Sequence, residues 1–282
     1  MRVDLLEELL REAEQHIKLP PPPAEVLEKL EKARRLVGDL WPLAATGTHK
    51  EYFEVSKERY AHYVAASMAN IQAGSRILDV GNAPGHVAYL LSAMGHRVKG
   101  LNLNAAWRDT YPDPSWLELF EVQEADIEAA GLPFPDRAFD ALVFTEVLEH
   151  IAVRDPLVVL KEFLRVLVPG GLLIFSTPNV CNLSNIIALL LGKNIFWPVG
   201  IFYGSFDRHN REYAPAEVDE LFRLAGFETI AFWGMCDHSN WRSGAAEFVY
   251  QDLSPLIDKF SMMRNTIVAV YKSHARGISG AE

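Results

Sequence analysis

The stretch LDVGNAPGHVAYLL, residues 78–91, decides the fold. Its first residues continue the apolar run RILDV and read as a buried strand. VAYLL reads as the opening of a helix, with Gly81 and Gly85 in the turn between them. A strand that turns directly into a helix is the first half of a βαβ unit. The turn has Ala83 and Pro84 where a phosphate-binding loop has more glycine. A P-loop needs G-x-x-x-x-G-K-S/T, and the lysine is missing. A dinucleotide fingerprint G-x-G-x-x-G would place glycines at 81, 83 and 86, where the chain has Gly81, Ala83 and His86. The spacing G-x-G-x-G, preceded by an acid, is met by Asp79, Gly81 and Gly85, with the small Ala83 in the middle.

Asp79 separates these possibilities chemically. A helix N-terminus attracts a pyrophosphate, whereas a carboxylate beside it repels one. Asp79 suits a ligand whose nearest group is a cation, such as an amino-acid ammonium. The bland alternative is a strand-to-helix turn that uses glycine only for its geometry.

Working outward, short β-rich runs alternate with helical ones from residue 76: RILDVG, VAYLLSAMG, RVKGLNL, LFEVQEAD, FDALVFTEV, PLVVLKEFLRVL, GLLIFSTP, AEVDELFRLAGF, ETIAFWG and NTIVAVYK. This alternation predicts a doubly wound α/β fold with a mainly parallel sheet and ligands beyond the carboxyl ends of the strands. Before it, LPPPPAEV (19–26) is a stiff break after an amphipathic first helix. Residues 1–50 are read as an N-terminal helical arm, 51–273 as the main domain with a lid and substrate segment at 181–215, and 274–282 as a disordered tail.

Composition narrows the partners. A chain of 282 residues with a net charge of -10 lacks the basic stripe of a nucleic-acid binder. Two cysteines, Cys181 and Cys236, without zinc spacing, give neither a disulfide framework nor a structural metal site. The first residues mix acids into their apolar positions, unlike a signal peptide, so a cytoplasmic location is expected. The apolar run NIIALLLGKNIFWPVGIFYG (185–204) is broken by Gly192, Lys193, Asn194 and Pro198, short of the roughly 20 uninterrupted apolar residues of a membrane span.

ILDVGNAPG, ADIEAAGLPFPDRAFDALVFTEVLEHI, LKEFLRVLVPGGLLIFSTPN and HNREYAPAEVDELFRLAGFE, in this order and spacing, resemble class I S-adenosylmethionine-dependent methyltransferases. The likeness is to the branch with ubiquinone-type O-methyltransferases and sugar and natural-product methyltransferases, and covers about residues 52–272. It implies a seven-stranded sheet whose last strand, NTIVAVYK, runs antiparallel, and S-adenosylmethionine as cofactor. It also implies that Asp79, Gly81, Asn82, Ala83 and Gly85 cradle the cofactor, and that Asn102 and Leu103 stand where the family usually has an acid gripping the ribose diol. Asp126 and Ile127 would contact adenine, and Thr145 the methionyl part. Asn102 departs from the family's acid, since an amide holds a diol without charge assistance.

Methyl transfer from a sulfonium is an in-line displacement with a neutral leaving group, so the chemistry left to the protein is positioning and removal of a hydroxyl proton. Glu146, Glu149 and His150 follow the fourth strand at i, i+3 and i+4, where one helical turn points all three to one side. Such a set suits a divalent cation, Mg²⁺ where carboxylate and water ligands dominate. In the ubiquinone-type enzymes the matching E-x-x-E-H segment binds a metal. In other relatives Glu149 and His150 are structural, or His150 alone is the base. Catalysis is therefore assigned to His150 and Glu149, and the metal set to Glu146, Glu149 and His150.

Acceptor contacts are expected from Tyr52, from Arg208 and His209 in GSFDRHNREYAP (204–215), and from Asp237 and Trp241 in GMCDHSNWRSG (234–244). Polar groups this dense suit a sugar, glycoside or oligosaccharide, the favoured acceptor, with a phenol, quinone precursor or polyketide as the alternative. A non-catalytic cofactor-binding scaffold is the reading from another class. The helical arm is the expected surface for a homodimer.

Overall fold

In the computed structural model the described residues are 7–8, 11–12, 15, 19–44, 49–103, 111, 113, 115–129, 131–196, 208–236, 260 and 263–274. The strands are β1 (Arg76–Val80), β2 (Arg97–Asn102), β3 (Glu121–Glu124), β4 (Phe139–Thr145), β5 (Leu167–Pro178), β6 (Phe227–Met235) and β7 (Thr266–Ser273). The helices are α1 (Ala24–Ala44), α2 (His49–Asn70), α3 (His86–Ala93), α4 (Trp116–Leu119), α5 (Pro156–Val166), α6 (Leu183–Leu190) and α7 (Pro215–Ala225).

The seven strands form one sheet in the order β3-β2-β1-β4-β5-β7-β6. β1 pairs in parallel with both β2 and β4, and β7 is antiparallel to both its neighbours, β5 and β6. Strand order reverses between β1 and β4, so the connections leaving these two strands diverge and open a crevice at their carboxyl ends.

Period-two alternation gives the sheet its two buried faces. Ile77, Ala141, Val143, Ile174, Val268 and Val270 face the core shared with α1, α2 and α3. Leu78, Val80, Leu142, Phe144, Leu173 and Phe175 face the other, under α5 and α7. Both helices of that second layer begin on proline in the first turn. The Asp155 side chain caps α5 by accepting from Leu157 N at 2.9 Å, and α7 ends on Gly226 at φ 105°.

The structure revises the division at residue 50. Val26, Leu30, Ala33, Val37 and Leu40 of α1 are buried in the same core as α2 and the sheet, so α1 belongs to the domain and its apolar face is spent inside the chain. Trp233 of β6 donates its indole N–H to His62 of α2 at 3.2 Å, fixing that helix to the sheet. Only part of the expected lid, 181–196 and 208–215, lies within the described residues, and the tail beyond residue 274 lies outside them.

Phe163 of α5 is fully buried edge-on against Phe144 of β4, with ring centroids 4.8 Å apart. Phe163→Ala is expected to cost about 3–5 kcal/mol of stability, the usual price of an aromatic cavity. Urea unfolding measures it, and a loss under about 1 kcal/mol would contradict this packing.

Candidate functional site

Asp79, the last residue but one of β1, is 2% exposed, and its Oδ2 has no hydrogen-bond partner among the described residues. Burial pushes its carboxyl up to about 8, since a low-dielectric site disfavours the charged form. The turn that follows is closed by Gly81 N to Leu101 O at 2.7 Å and Gly85 N to Asn82 O at 2.6 Å. Gly81 and Gly85 have φ of 73° and 88°. A Cβ at Gly85 would also lie 2.4 Å from the Tyr111 ring, so both backbone and packing require glycine there.

Asp79 lines an open cavity of about 450 Å³ with Arg59, Gly81, Ala83, Thr145 and Glu146. Arg59 stands on α2, 5% exposed, and its Nη1 donates to Glu146 Oε2 at 2.5 Å. Glu146 Oε1 accepts from Ser176 Oγ at 2.7 Å, and Ser176 in turn pairs with the Tyr63 hydroxyl at 2.6 Å. The Tyr60 hydroxyl lies 3.1 Å from His86 Nδ1. One cavity thus presents a buried acid and a buried cation, the complement of a zwitterionic amino-acid group. The orphaned Asp79 oxygen and the glycine turn fit the methionyl half of a sulfonium cofactor. Arg59 escapes sequence reading because KERYAHY is an ordinary amphipathic stretch, and only the packing of α2 over the strand ends brings it to the cavity.

Asn102 is turned inward. It is 5% exposed, its Oδ1 accepts from Ala83 N at 3.2 Å, and its Nδ2 donates to the Tyr111 hydroxyl at 2.8 Å. That hydroxyl donates to Asn82 Oδ1 at 2.7 Å. Asn102 therefore braces the glycine turn instead of presenting its amide to a ribose. Leu103 beside it is exposed. Asp126 is exposed and closes a local turn by accepting from Glu128 N at 2.8 Å, while Ile127 is half-buried against the core.

The segment after β4 departs from the helical turn expected of it. Glu146 adopts φ 55°, and Leu148–His150 form a single 3-10 turn, so Glu146 does not join Glu149 and His150. Glu146 is held by Arg59 and Ser176, which leaves the expected carboxylate-rich magnesium set unassembled. His209 comes to Glu149 and His150 instead, with ligand atoms of all three within 4.8 Å of one another. Glu149 is 1% exposed, and burial, reinforced by the charge of Glu146, holds its carboxyl well above the usual range. Its Oε2 accepts from Thr177 Oγ1 at 3.0 Å. His150 Nδ1 lies 2.9 Å from the Arg208 carbonyl, which only accepts, so Nδ1 carries a proton and the lone pair of the neutral ring sits on Nε2.

Several expected acceptor contacts are committed elsewhere. Arg208 Nε donates to Asn210 Oδ1 at 2.9 Å, and His209 Nδ1 faces Glu212 Oε1 at 2.9 Å. Tyr52, 41% exposed, lines the cavity of Asp79, not a separate acceptor pocket. Asp237 and Trp241 lie outside the described residues.

A doubly wound sheet with an acid near the end of its first strand and a glycine turn over an open crevice is the frame in which nucleotide-type cofactors bind. Comparison with known proteins narrows this. A family described as a methyltransferase domain matches residues 78–175. A Mycolicibacterium smegmatis protein named a probable S-adenosylmethionine-dependent methyltransferase is 32% identical over 179 residues, 62% of this chain and 57% of that protein. This chain therefore spans little more than half of that relative's length. The ubiquinone biosynthesis O-methyltransferase of Thiobacillus denitrificans is 31% identical over 172 residues, 58% of this chain and 68% of its own. Among solved structures, a chain from the complex between the Haloferax volcanii Trm112 methyltransferase activator and its candidate methyltransferase superposes with a TM-score of 0.56. That match has 19% identity, covers 84% of this chain and 98% of the other, and speaks for the fold alone. The chain belongs to the class I S-adenosylmethionine-dependent methyltransferases. Among the described residues no helix is long and apolar enough to cross a membrane.

Asp79 links the cavity to pH. The folded chain keeps its proton to about pH 8, whereas its ordinary value is 3.8. The stability this proton contributes is whole below the lower value and is lost as pH rises through that window. Asp79→Asn is expected to flatten this part of the slope in urea unfolding between pH 5 and 8. An unchanged slope would show that Asp79 is not the buried acid described.

Proposed function

We propose that the protein transfers the methyl group of S-adenosylmethionine to a hydroxyl of a phenolic or quinone-precursor small molecule. The observation that carries the cofactor half is the buried, unpartnered Asp79 oxygen in a cavity shared with Arg59. Asp79 meets the ammonium and Arg59 the carboxylate, while Thr145, at the end of β4, lines the same cavity. Binding a cation against Asp79 favours its ionised form, so at neutral pH cofactor binding releases a proton.

For the acceptor, the oxygen attacks the methyl carbon in line. The new C–O bond forms as the S–C bond breaks, and its electron pair stays on a neutral thioether. The hydroxyl proton leaves toward the Glu149–His150–His209 cluster, where His150 Nδ1 is fixed on the Arg208 carbonyl and Nε2 is the basic nitrogen of the neutral ring. Two supports favour an aromatic acceptor over a sugar. Arg208, His209 and Asn210 are engaged with neighbours within their own segment or with the 3-10 turn. Leu189, Leu190, Leu191 and Phe196, in the segment after β5, expose apolar side chains. Relatives named as ubiquinone biosynthesis O-methyltransferases agree with this class.

S-adenosylmethionine and its demethylated product are expected to raise the melting temperature and NAD to leave it unchanged; no shift with either would remove the cofactor reading. Isothermal titration in buffers of different ionisation enthalpy should report the released proton. In transfer assays over a panel of catechols and sugars, catechols are the expected acceptors, and methylation of sugars alone would overturn the acceptor class. His150→Ala should lower kcat by about a hundredfold or more.

A further inference from the structure

The Glu149–His150–His209 cluster has the build of a metal site with a ligand set different from E-x-x-E-H. We propose that Glu149, His150 and His209, without Glu146, bind one divalent transition ion of the zinc type.

The geometry begins with the imidazoles. Each points its Nδ1 at an acceptor, His150 at the Arg208 carbonyl and His209 at Glu212 Oε1, both at 2.9 Å. A histidine that donates one ring N–H to a carbonyl or carboxylate has its other nitrogen oriented and made more basic, the arrangement that outer partners give metal-binding histidines. Glu149 supplies the oxygen ligand. Thr177 engages its Oε2, and Oε1 is buried, has no hydrogen-bond partner among the described residues and lies 3.9 Å from His150 Nε2.

His209 is delivered by registered contacts. Asn210 N donates to the Glu149 carbonyl at 2.7 Å, and Asn210 Nδ2 donates to the His150 carbonyl at 2.7 Å. With Arg208 O bound to His150, both sequence neighbours of His209 are tied to the two other ligands. His150 and His209 meet edge to face, ring centroids 5.1 Å apart.

Donor chemistry then selects the ion. Magnesium favours an octahedral shell of oxygens and waters. Two imidazole nitrogens and one carboxylate favour zinc or cobalt over magnesium, and this set is a recurrent catalytic zinc environment with a position left for water or substrate. A bound ion of this kind would acidify a hydroxyl placed on it. The catalytic use of the site rests on the function proposed above, but ion binding does not.

The test uses untagged full-length protein and Co²⁺ as the probe, without cofactor or acceptor. Visible d–d absorption should saturate at one ion per chain and resist a large excess of Mg²⁺. His209→Ala, with His209→Gln as the milder variant, should lose at least about tenfold in Co²⁺ affinity, and Glu212→Gln about 10–100-fold through the ring it orients. Glu146→Gln should bind Co²⁺ as the parent does. Circular dichroism checks that each variant folds. Absence of saturable Co²⁺ binding, equal competition by Mg²⁺, or loss of the ion in Glu146→Gln but not in folded His209 variants would overturn the proposal. Cofactor thermal shifts are read separately, so a chain that binds Co²⁺ but not S-adenosylmethionine keeps the ion site and loses the methyltransferase function.

Discussion

A carboxylate buried at the end of a strand with an oxygen lacking a partner is costly to fold around. Asp79 is held there by the parallel pairing of β1 with β2 and β4, which sets it opposite Gly100 on one side and Val143 on the other. The neighbourhood is built around that constraint. The glycine turn leaves backbone close by, Asn102 and Tyr111 brace the turn from below, and α2 closes over it with Arg59. On the function proposed above, a cation placed against Asp79 offsets this cost.

The second half of the site depends on the unusual exit of β4. Glu146 leaves the strand in the left-handed region, which is strained for a residue with a side chain. Its two oxygens are anchored by Arg59 and Ser176, and its backbone N–H by the Ser176 carbonyl at 3.0 Å. The next residues, Leu148–His150, form a 3-10 turn that places Glu149 and His150 beside the segment carrying His209. The cavity lined by Asp79 and Glu146 and the cluster of Glu149, His150 and His209 are thus built from neighbouring residues of one segment after β4.

Much of the fold was legible because each strand carries its own apolar run and each helix of the second layer its own proline or glycine boundary, as at Pro156, Pro215 and Gly226. Asp79 with Gly81 and Gly85 was legible for the same reason, since the requirement is local. What depended on tertiary packing was not. Helical periodicity put Glu146 with Glu149 and His150, and the backbone turn at residue 146 separates them. Asn102 stood at the right place for a ribose, but Tyr111, nine residues on in sequence, claims its amide. Arg59 and His209 reach their sites only through the docking of α2 and of the segment after α6, and no spacing within either segment announces this.

β7 has a consequence for how the chain comes to be folded. Among the described residues it is the last strand in sequence, yet it lies inside the sheet and is the strand through which β6 joins the rest. On a ribosome, β1 to β5 can pair as they emerge, whereas β6 must wait until Thr266–Ser273 has been made. Completion of the sheet is therefore a late event spanning much of the chain, slowed by the loop it must close. Until then the apolar edge of β5 needs shielding from other molecules.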